Sequence, residues 1–316
     1  MKVVVTGASG FLGSWVCRVL AKNHEVAALI RPQSSDYRLY GITPIEIARI
    51  TEDKWGKFIS SNSYDAWISL DWNGVSNRNR NDDSQLENLS RVRNLCNSIS
   101  NVPFVIGTGS QAELGPINDL IKESHPDSPT TKYGAAKVEA RKFMRSHFEA
   151  QGVSFAWARI FSTYGPLDSN DWLIPSIIES LLNNQRVPLT RGEQEWSYLH
   201  SYDLASAFEC ILNNSITGTV SVGNPTTVKI HEVASYIGKT MNREKLLGFG
   251  EVDYRPDQVM KLAPLCEKLS KNGWKPEIDL QNGVLHLINW MSKKKDAHLK
   301  TVNGRKLELR LPPREN

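Results

Sequence analysis

The chain has 316 residues, 40% apolar and 23% charged, with a formal net charge of +4. That length supports a sizeable core and one or two domains, and no apolar run approaches the ~20 residues needed to span a bilayer. Residues 293–316 hold eight Lys or Arg against three Asp or Glu, so the body carries about −1 and is not expected to bind nucleic acid or a membrane surface.

The opening "MKVVVTGASG" runs straight into a strand and a glycine turn, so no signal peptide is expected. Cys17, Cys96, Cys210 and Cys266 are far apart and form no CxxC pair, which reads as buried thiols of a cytoplasmic protein rather than a disulfide or zinc framework. In chain order, "KVVVT" (2–6) is a continuous β-branched run, as in a strand buried on both faces of a parallel sheet. A helix is predicted over 11–23, then strands at 25–30, 64–70, 102–106 and 153–160, with long helices at 82–99 and 130–150. After "YGPL" (164–167) the pattern loosens into helices at about 171–184, 258–272 and 279–292, while 198–214 and 219–224 return to the sheet.

Alternating βα units predict an α/β fold, a Rossmann-type doubly wound parallel sheet, with a smaller, mostly helical C-terminal lobe. We expect a dinucleotide-binding domain over 1–165 rejoined by 197–235, an interleaved substrate lobe over 166–292, and a basic tail over 293–316. The tail contains "RKLELRL", which alternates well enough for a short strand. Ligands are expected at the carboxyl ends of the strands, between the lobes.

The turn "TGASGFLG" places Gly7, Gly10 and Gly13 after a buried strand and on the first turns of an apolar helix. A pyrophosphate must come within hydrogen-bond distance of backbone N–H groups there, and a Cβ would block it. An NAD enzyme usually ends its second strand in an acid, but "ALIRPQSS" has Ile30 there, followed by Arg31. A guanidinium grips the 2′-phosphate of NADP, and Ser34 and Ser35 add hydroxyls, so NADP (as NADPH) is expected in preference to NAD.

Tyr133 and Lys137, in "YGAAK", share one helical face. An ammonium beside a phenol favours phenolate, and such a tyrosine exchanges a proton with an alcohol or ketone as hydride moves. The run "TGASGFLG", a serine at 110 and "YGAAK" resembles the extended short-chain dehydrogenase/reductase family. The likeness continues through "ARIFSTYGP" (158–166), "GEQEWSYLHSYDLASAF" (192–208) and "FGEVDYRPDQVMKL" (249–262). Members act mostly on nucleotide-diphosphate sugars. The resemblance implies that Ser110, Tyr133 and Lys137 are catalytic: Ser110 bonds the substrate oxygen, Tyr133 exchanges the proton, and Lys137 holds the nicotinamide ribose. It also implies cofactor contacts at Ser9, Phe11, Leu12, Leu70, Thr108, Tyr133, Lys137 and Ile160, besides Arg31, Ser34 and the three glycines.

Family 4,6-dehydratases carry a threonine followed by Asp-Glu in the loop "GTGSQAELG" (107–115). Aligned on Gly115, the threonine falls on Ser110 and the acid pair on Gln111 and Ala112, which cannot shuttle a proton, so dehydration is disfavoured. Glu113, one residue on, reads either as a cleft acid or as a structural residue bonding loop amides. The likeness favours NADPH-dependent reduction of a 4-keto-6-deoxyhexose carried on a nucleoside diphosphate. A 4-epimerase with retained NAD is the alternative, and a non-catalytic NADP sensor the reading of another class. Substrate contacts are expected from Ser110, Gln111, Ser162, Arg191, Trp196 and Arg255. Trp196 and Ser197 replace an Arg-Asp pair of many relatives, and Asp71 is an unexpected carboxylate beside the cofactor. Helices 82–99 and 130–150 resemble those of the family's four-helix dimer interface, so a homodimer is expected.

Overall fold

The computed structural model describes residues 1–255 and 258–300, without the side chains of residues 77 and 294–300. The chain begins with β1 (Lys2–Thr6), α1 (Phe11–Leu20), β2 (Glu25–Ile30), β3 (Glu46–Arg49), α2 (Trp55–Ser61), β4 (Ala66–Ser69) and α3 (Ser84–Ser98). Then come β5 (Phe104–Ser110), β6 (Leu120–Ile121), α4 (Lys132–Glu149), β7 (Ser154–Ile160) and β8 (Thr163–Tyr164). There follow α5 (Leu173–Leu182), β9 (Val187–Leu189), β10 (Glu195–Ser197), β11 (Leu199–His200), α6 (Ser201–Asn213) and β12 (Gly218–Val222). The last elements are β13 (Thr227–Lys229), α7 (Ile230–Thr240), β14 (Leu247–Phe249), β15 (Lys261–Pro264), α8 (Glu267–Lys271) and α9 (Leu280–Lys300).

Seven strands form one parallel sheet in the order β12-β7-β5-β4-β1-β2-β3. Val3, Val4 and Val5 of β1 are fully buried, since helices cover both faces of a doubly wound sheet. On one face α1 packs on α6, with Trp15, Val16, Phe208 and Ile211 in the core. On the other, α2, α3 and α4 close over Trp67, Val105 and Trp157. The sheet and flanking helices are the Rossmann-like architecture expected from the βα alternation.

A second core joins α5, α7 and α9 through Ile177, Val233 and Leu287. It is less purely helical than expected, because β13, β10, β15 and β6 form a four-stranded sheet. The buried Asp203 of α6 accepts backbone N–H bonds from Glu277 (2.9 Å) and Ile278 (3.0 Å), tying the C-terminal segment to the sheet's flank.

The predicted helix 258–272 is a correction. Lys261–Pro264 is a strand between β10 and β6, and only Glu267–Lys271 is helical. β3 was not predicted, and α9 runs past residue 292 to Lys300. The stretch "RKLELRL" and the rest of the basic tail from 301 lie outside the described residues. Among the described residues no helix is long and apolar enough to cross a membrane.

Candidate active site

The carboxyl ends of the central strands carry the residues singled out above. At β1, Gly7 (φ +73°) sits so close to β4 that a Cβ would lie 2.4 Å from the Leu70 carbonyl carbon. At Gly13 a Cβ would lie 2.2 Å from the Gly7 oxygen. These two glycines let strand, turn and helix touch. Gly10 differs: it is exposed, a Cβ there would meet only the Gly7 oxygen at 3.1 Å, and it begins α1 with no side-chain cap. A bare helix N-terminus that a side chain would obstruct is an anion cradle, and it fits the pyrophosphate of a dinucleotide. Phe11 and Leu12 are partly buried beside it, and the Ser9 carbonyl accepts from Arg38 Nη1 at 3.4 Å.

At the end of β2, Arg31 Nη1 lies 3.6 Å from Glu52 Oε1, with both side chains partly exposed. Glu52 in turn faces Arg91 Nε at 3.6 Å, and Arg91 Nη2 lies 3.9 Å from Asp71. An alternating chain of charges therefore runs from the second strand to the fourth. The Ser34 N–H closes a turn onto the Arg31 carbonyl, and the Ser34 carbonyl accepts from Arg49 at 2.9 Å. Asp71 accepts from Thr6 Oγ1 (2.6 Å) and Ser69 Oγ (3.1 Å), pinning together the ends of β1 and β4. Burial raises its pKa, against those hydroxyls and Arg91.

Ser110 ends β5. Its hydroxyl accepts from the Ala112 N–H (3.2 Å), while Glu113 Oε1 accepts from the Ser110 N–H (2.8 Å), making a reciprocal cap of the turn 111–113. Glu113 has no exposed surface. It accepts from Trp157 Nε1 (2.9 Å) and Arg159 Nε (3.3 Å), and Arg141 Nε lies 3.5 Å away. Gly107 and Gly109 make room for this arrangement, because a Cβ at Gly109 would stand 2.2 Å from Trp157 Nε1. The carboxylate lies beneath the loop rather than in the cleft.

Tyr133 and Lys137 project from the first turns of α4, which Thr131 caps through the Gly134 N–H (3.1 Å). The Ser110 hydroxyl stands close enough to the Tyr133 phenol to lower its pKa. Lys137 Nζ donates to the Thr108 carbonyl (2.8 Å) and lies 5.9 Å from the Tyr133 ring centre. The Thr108 hydroxyl donates to the Ser69 carbonyl (2.5 Å), and Ile160, at the end of β7, is buried alongside.

The electrostatics differ from the simple lysine-over-phenol picture. Burial raises the Tyr133 pKa; the Ser110 hydrogen bond and the Arg80 guanidinium pull it down, and Glu113 adds to the rise. Burial also pushes the Lys137 ammonium down to about 7, against the opposing pull of Glu113 and Asp71. The phenol is therefore held as a proton donor.

On the substrate side, Gln111 Oε1 is buried with no hydrogen-bond partner among the described residues, an acceptor placed next to Ser110. Ser162 is half-buried at the end of β7, where its carbonyl accepts from the Leu199 N–H (2.9 Å). Arg255 is exposed, and its charge acts on Arg80. Arg191 is exposed, 3.5 Å from Glu193, with its guanidinium over the Tyr254 ring. Trp196 donates to the Val259 carbonyl (3.0 Å) and packs against both the C-terminal core and the Leu114–Phe161 cluster.

Three residues at the site were not anticipated: Glu52, Trp72 and Arg80. The Trp72 ring lies 3.9 Å from Lys137 Nζ and meets Tyr133 edge to face at 6.3 Å. The polar stretch "NRNRNDD" gives Arg80 no mark that sets it apart from its neighbours.

A family model described as the NAD dependent epimerase/dehydratase family matches residues 3–223. The dTDP-D-glucose 4,6-dehydratase of Mus musculus is 25% identical over 197 residues, 60% of this chain and 56% of that protein. The chain thus spans just over half the length of the first curated relatives it matches. The uncharacterized UDP-glucose epimerase YtcB of Bacillus subtilis is 24% identical over 92% of this chain and 98% of its own. CDP-abequose synthase of Salmonella muenchen is 26% identical over 45% of this chain and 49% of its own. Among solved structures, the UDP-glucuronic acid 4-epimerase of Bacillus cereus, in complex with its namesake and NAD, superposes with a TM-score of 0.82. The match covers 93% of this chain and all of that one at 18% identity, which is a likeness of fold. With the glycine cradle, the Ser110–Tyr133–Lys137 cluster and a family match over more than two thirds of its length, the chain belongs to the NAD dependent epimerase/dehydratase family of extended short-chain dehydrogenases/reductases.

Proposed function

We propose that the protein reduces the 4-keto group of a nucleoside-diphosphate-4-keto-6-deoxyhexose with NADPH. The observation that carries this reading is the position of Glu113, the sole acid of loop 107–115, which is fully buried against Trp157 and Arg159. The loop offers the Ser110 hydroxyl and α4 the Tyr133 phenol for redox chemistry at a carbonyl, and the loop presents no acid for elimination.

When bound, the nicotinamide supplies the hydride. Ser110 bonds the carbonyl oxygen, and Tyr133, held protonated by burial, gives its proton to that oxygen as it becomes an alcohol. Lys137, anchored on the Thr108 carbonyl, is the residue that would hold the nicotinamide ribose. Gln111 and Ser162 face the sugar, and Arg255 takes the diphosphate. Arg31 takes the 2′-phosphate. Its pairing with Glu52 is a part-exposed ion pair of the kind worth about 0–1 kcal/mol, which a phosphate outcompetes.

The decisive experiment mixes the protein with NADPH and CDP-, dTDP-, GDP- or UDP-4-keto-6-deoxyhexose and follows loss of reduced-nicotinamide absorbance. Consumption is expected with one of them, and Tyr133→Phe should lower it at least about 100-fold while leaving NADPH affinity unchanged. Persistence of turnover in that variant would show that Tyr133 is not the acid. A second reading, a 4-epimerase retaining NAD, is favoured by the Glu52 carboxylate at Arg31, which also suits a ribose hydroxyl, and by the end-to-end likeness to YtcB. Interconversion of 4-hydroxy epimers without added cofactor, and no NADPH consumption, would replace the first reading with it.

A further inference from the structure

Tyr133 needs a cation when its proton departs, and the structure supplies two at nearly equal range. Lys137 Nζ is 5.9 Å from the ring centre, but it already donates to the Thr108 carbonyl and lies 3.9 Å from the Trp72 ring centre. The Arg80 guanidinium carbon is 5.6 Å from the Tyr133 ring centre and 5.9 Å from that of Trp172, the N-cap of α5. No carboxylate among the described residues forms an ion pair with Arg80, and its Nε makes a long bond to the Val75 carbonyl at 3.5 Å.

The loop that carries Arg80 is locked in place. The Tyr133 N–H donates to the Arg80 carbonyl (2.8 Å), the Lys132 N–H to Asn81 Oδ1 (3.2 Å), and Lys132 Nζ to Asp83 (2.6 Å). The buried Gln85 amide holds the Gly74 and Asn79 carbonyls (2.9 and 3.0 Å) and accepts from Trp72 Nε1 (2.8 Å). The loop is thus tied to the very turn of α4 that bears the phenol.

We propose that Arg80 is a positioning residue for Tyr133, its guanidinium being the cation that stabilises the phenolate left when the proton moves to the substrate oxygen. The proposal rests on Tyr133 being the acid of the proposed reaction. In that step the Oη–H bond breaks, the electron pair stays on the phenolate, and the proton forms the new O–H bond. Hydride from the reduced nicotinamide reduces the carbonyl carbon. The groups acting on Tyr133 are the Ser110 hydroxyl from β5, Glu113 from the turn below, Lys137 from α4 and Arg80 from its loop, with Arg255 acting on Arg80 from the C-terminal lobe. Arg80 favours the phenolate and Glu113 opposes it.

The test needs no turnover. Protein labelled with ¹³Cζ-tyrosine is titrated by NMR with oxidised nicotinamide cofactor bound, and the Tyr133 resonance is assigned by its loss in Tyr133→Phe. In Arg80→Gln and Arg80→Met the phenolate-to-phenol ratio at a given pH should fall about tenfold, and Arg80→Lys should restore it. Both neutral variants keep the backbone carbonyl that ties the loop to α4, and thermal melts establish that they fold. An unchanged ratio in folded variants overturns the proposal. So does a rise in KM for a nucleotide sugar with the Tyr133 titration unmoved, which would make Arg80 a contact for a substrate anion instead. If instead the titration shifts as expected but no ketosugar is reduced, the proposed reaction fails while the role of Arg80 at Tyr133 stands.

Discussion

Glu113 shows how much one residue carries here. A carboxylate with no exposed surface, bonded to the Ser110 N–H, Trp157 and Arg159 and flanked by Arg141, shares these two arginines with Asp127 beneath loop 107–115. Glu113→Ala leaves Arg141 and Arg159 with Asp127 as their one carboxylate partner among the described residues and should cost about 3–5 kcal/mol in urea unfolding; a loss below about 1 kcal/mol would mean the network is not structural. Lys137 makes a second prediction. Its folded pKa of about 7 lies far below the value of about 10.4 in an unfolded chain. Between these values the unfolded chain binds more protons, so stability rises with pH across that window. Lys137→Met should flatten the rise, measured as urea midpoints from pH 7 to pH 10. Tyr133 and Lys137 were legible because their i, i+4 spacing on one helix is local, and Ser110 through the family likeness of its loop. Arg80 and Glu52 were not, because loop positions in polar stretches gain meaning only from what folds over them.

At the scale of elements, the turn between β1 and α1 separates two uses of glycine. Gly13→Ala forces a Cβ to 2.2 Å from the Gly7 oxygen and should lower the melting temperature as well as cofactor affinity. Gly10→Val has an ordinary φ of −75° and a Cβ 3.1 Å from the Gly7 oxygen, a contact that a shift of a few tenths of an ångström relieves, so it should fold and lose nicotinamide-cofactor binding, read by tryptophan fluorescence. Normal binding by Gly10→Val would place the pyrophosphate elsewhere. The buried strands β1, β2, β5 and β7 were legible as apolar runs, whereas β15 was not. Its apolar residues suit a helix equally well, and pairing with β10 and β6, more than sixty residues away in sequence, decided for a strand. The short β3 was missed for the same reason, since its pairing with β2 and not its alternating pattern defines it.

For the whole molecule, α3 and α4 lie side by side, and Leu86 of α3 is 61% exposed. We propose that these helices pair with their copies about a two-fold axis in a homodimer. Light scattering at micromolar concentration should give twice the chain mass for the native protein and the chain mass for Leu86→Arg. A monomeric native protein would remove the dimer. The sequence by itself determined the doubly wound sheet and put Tyr133 and Lys137 on one helical face, because βα alternation and i, i+4 spacing are properties of neighbouring residues, while Ser110 was read from the family likeness. Only the tertiary structure decided that Glu113 lies beneath the loop, that Asp71 pins two strand ends, and that Arg80 stands over the Tyr133 ring. Burial and charge pairing at those sites come from segments far apart in sequence, and it is their packing that sets which protons the site holds.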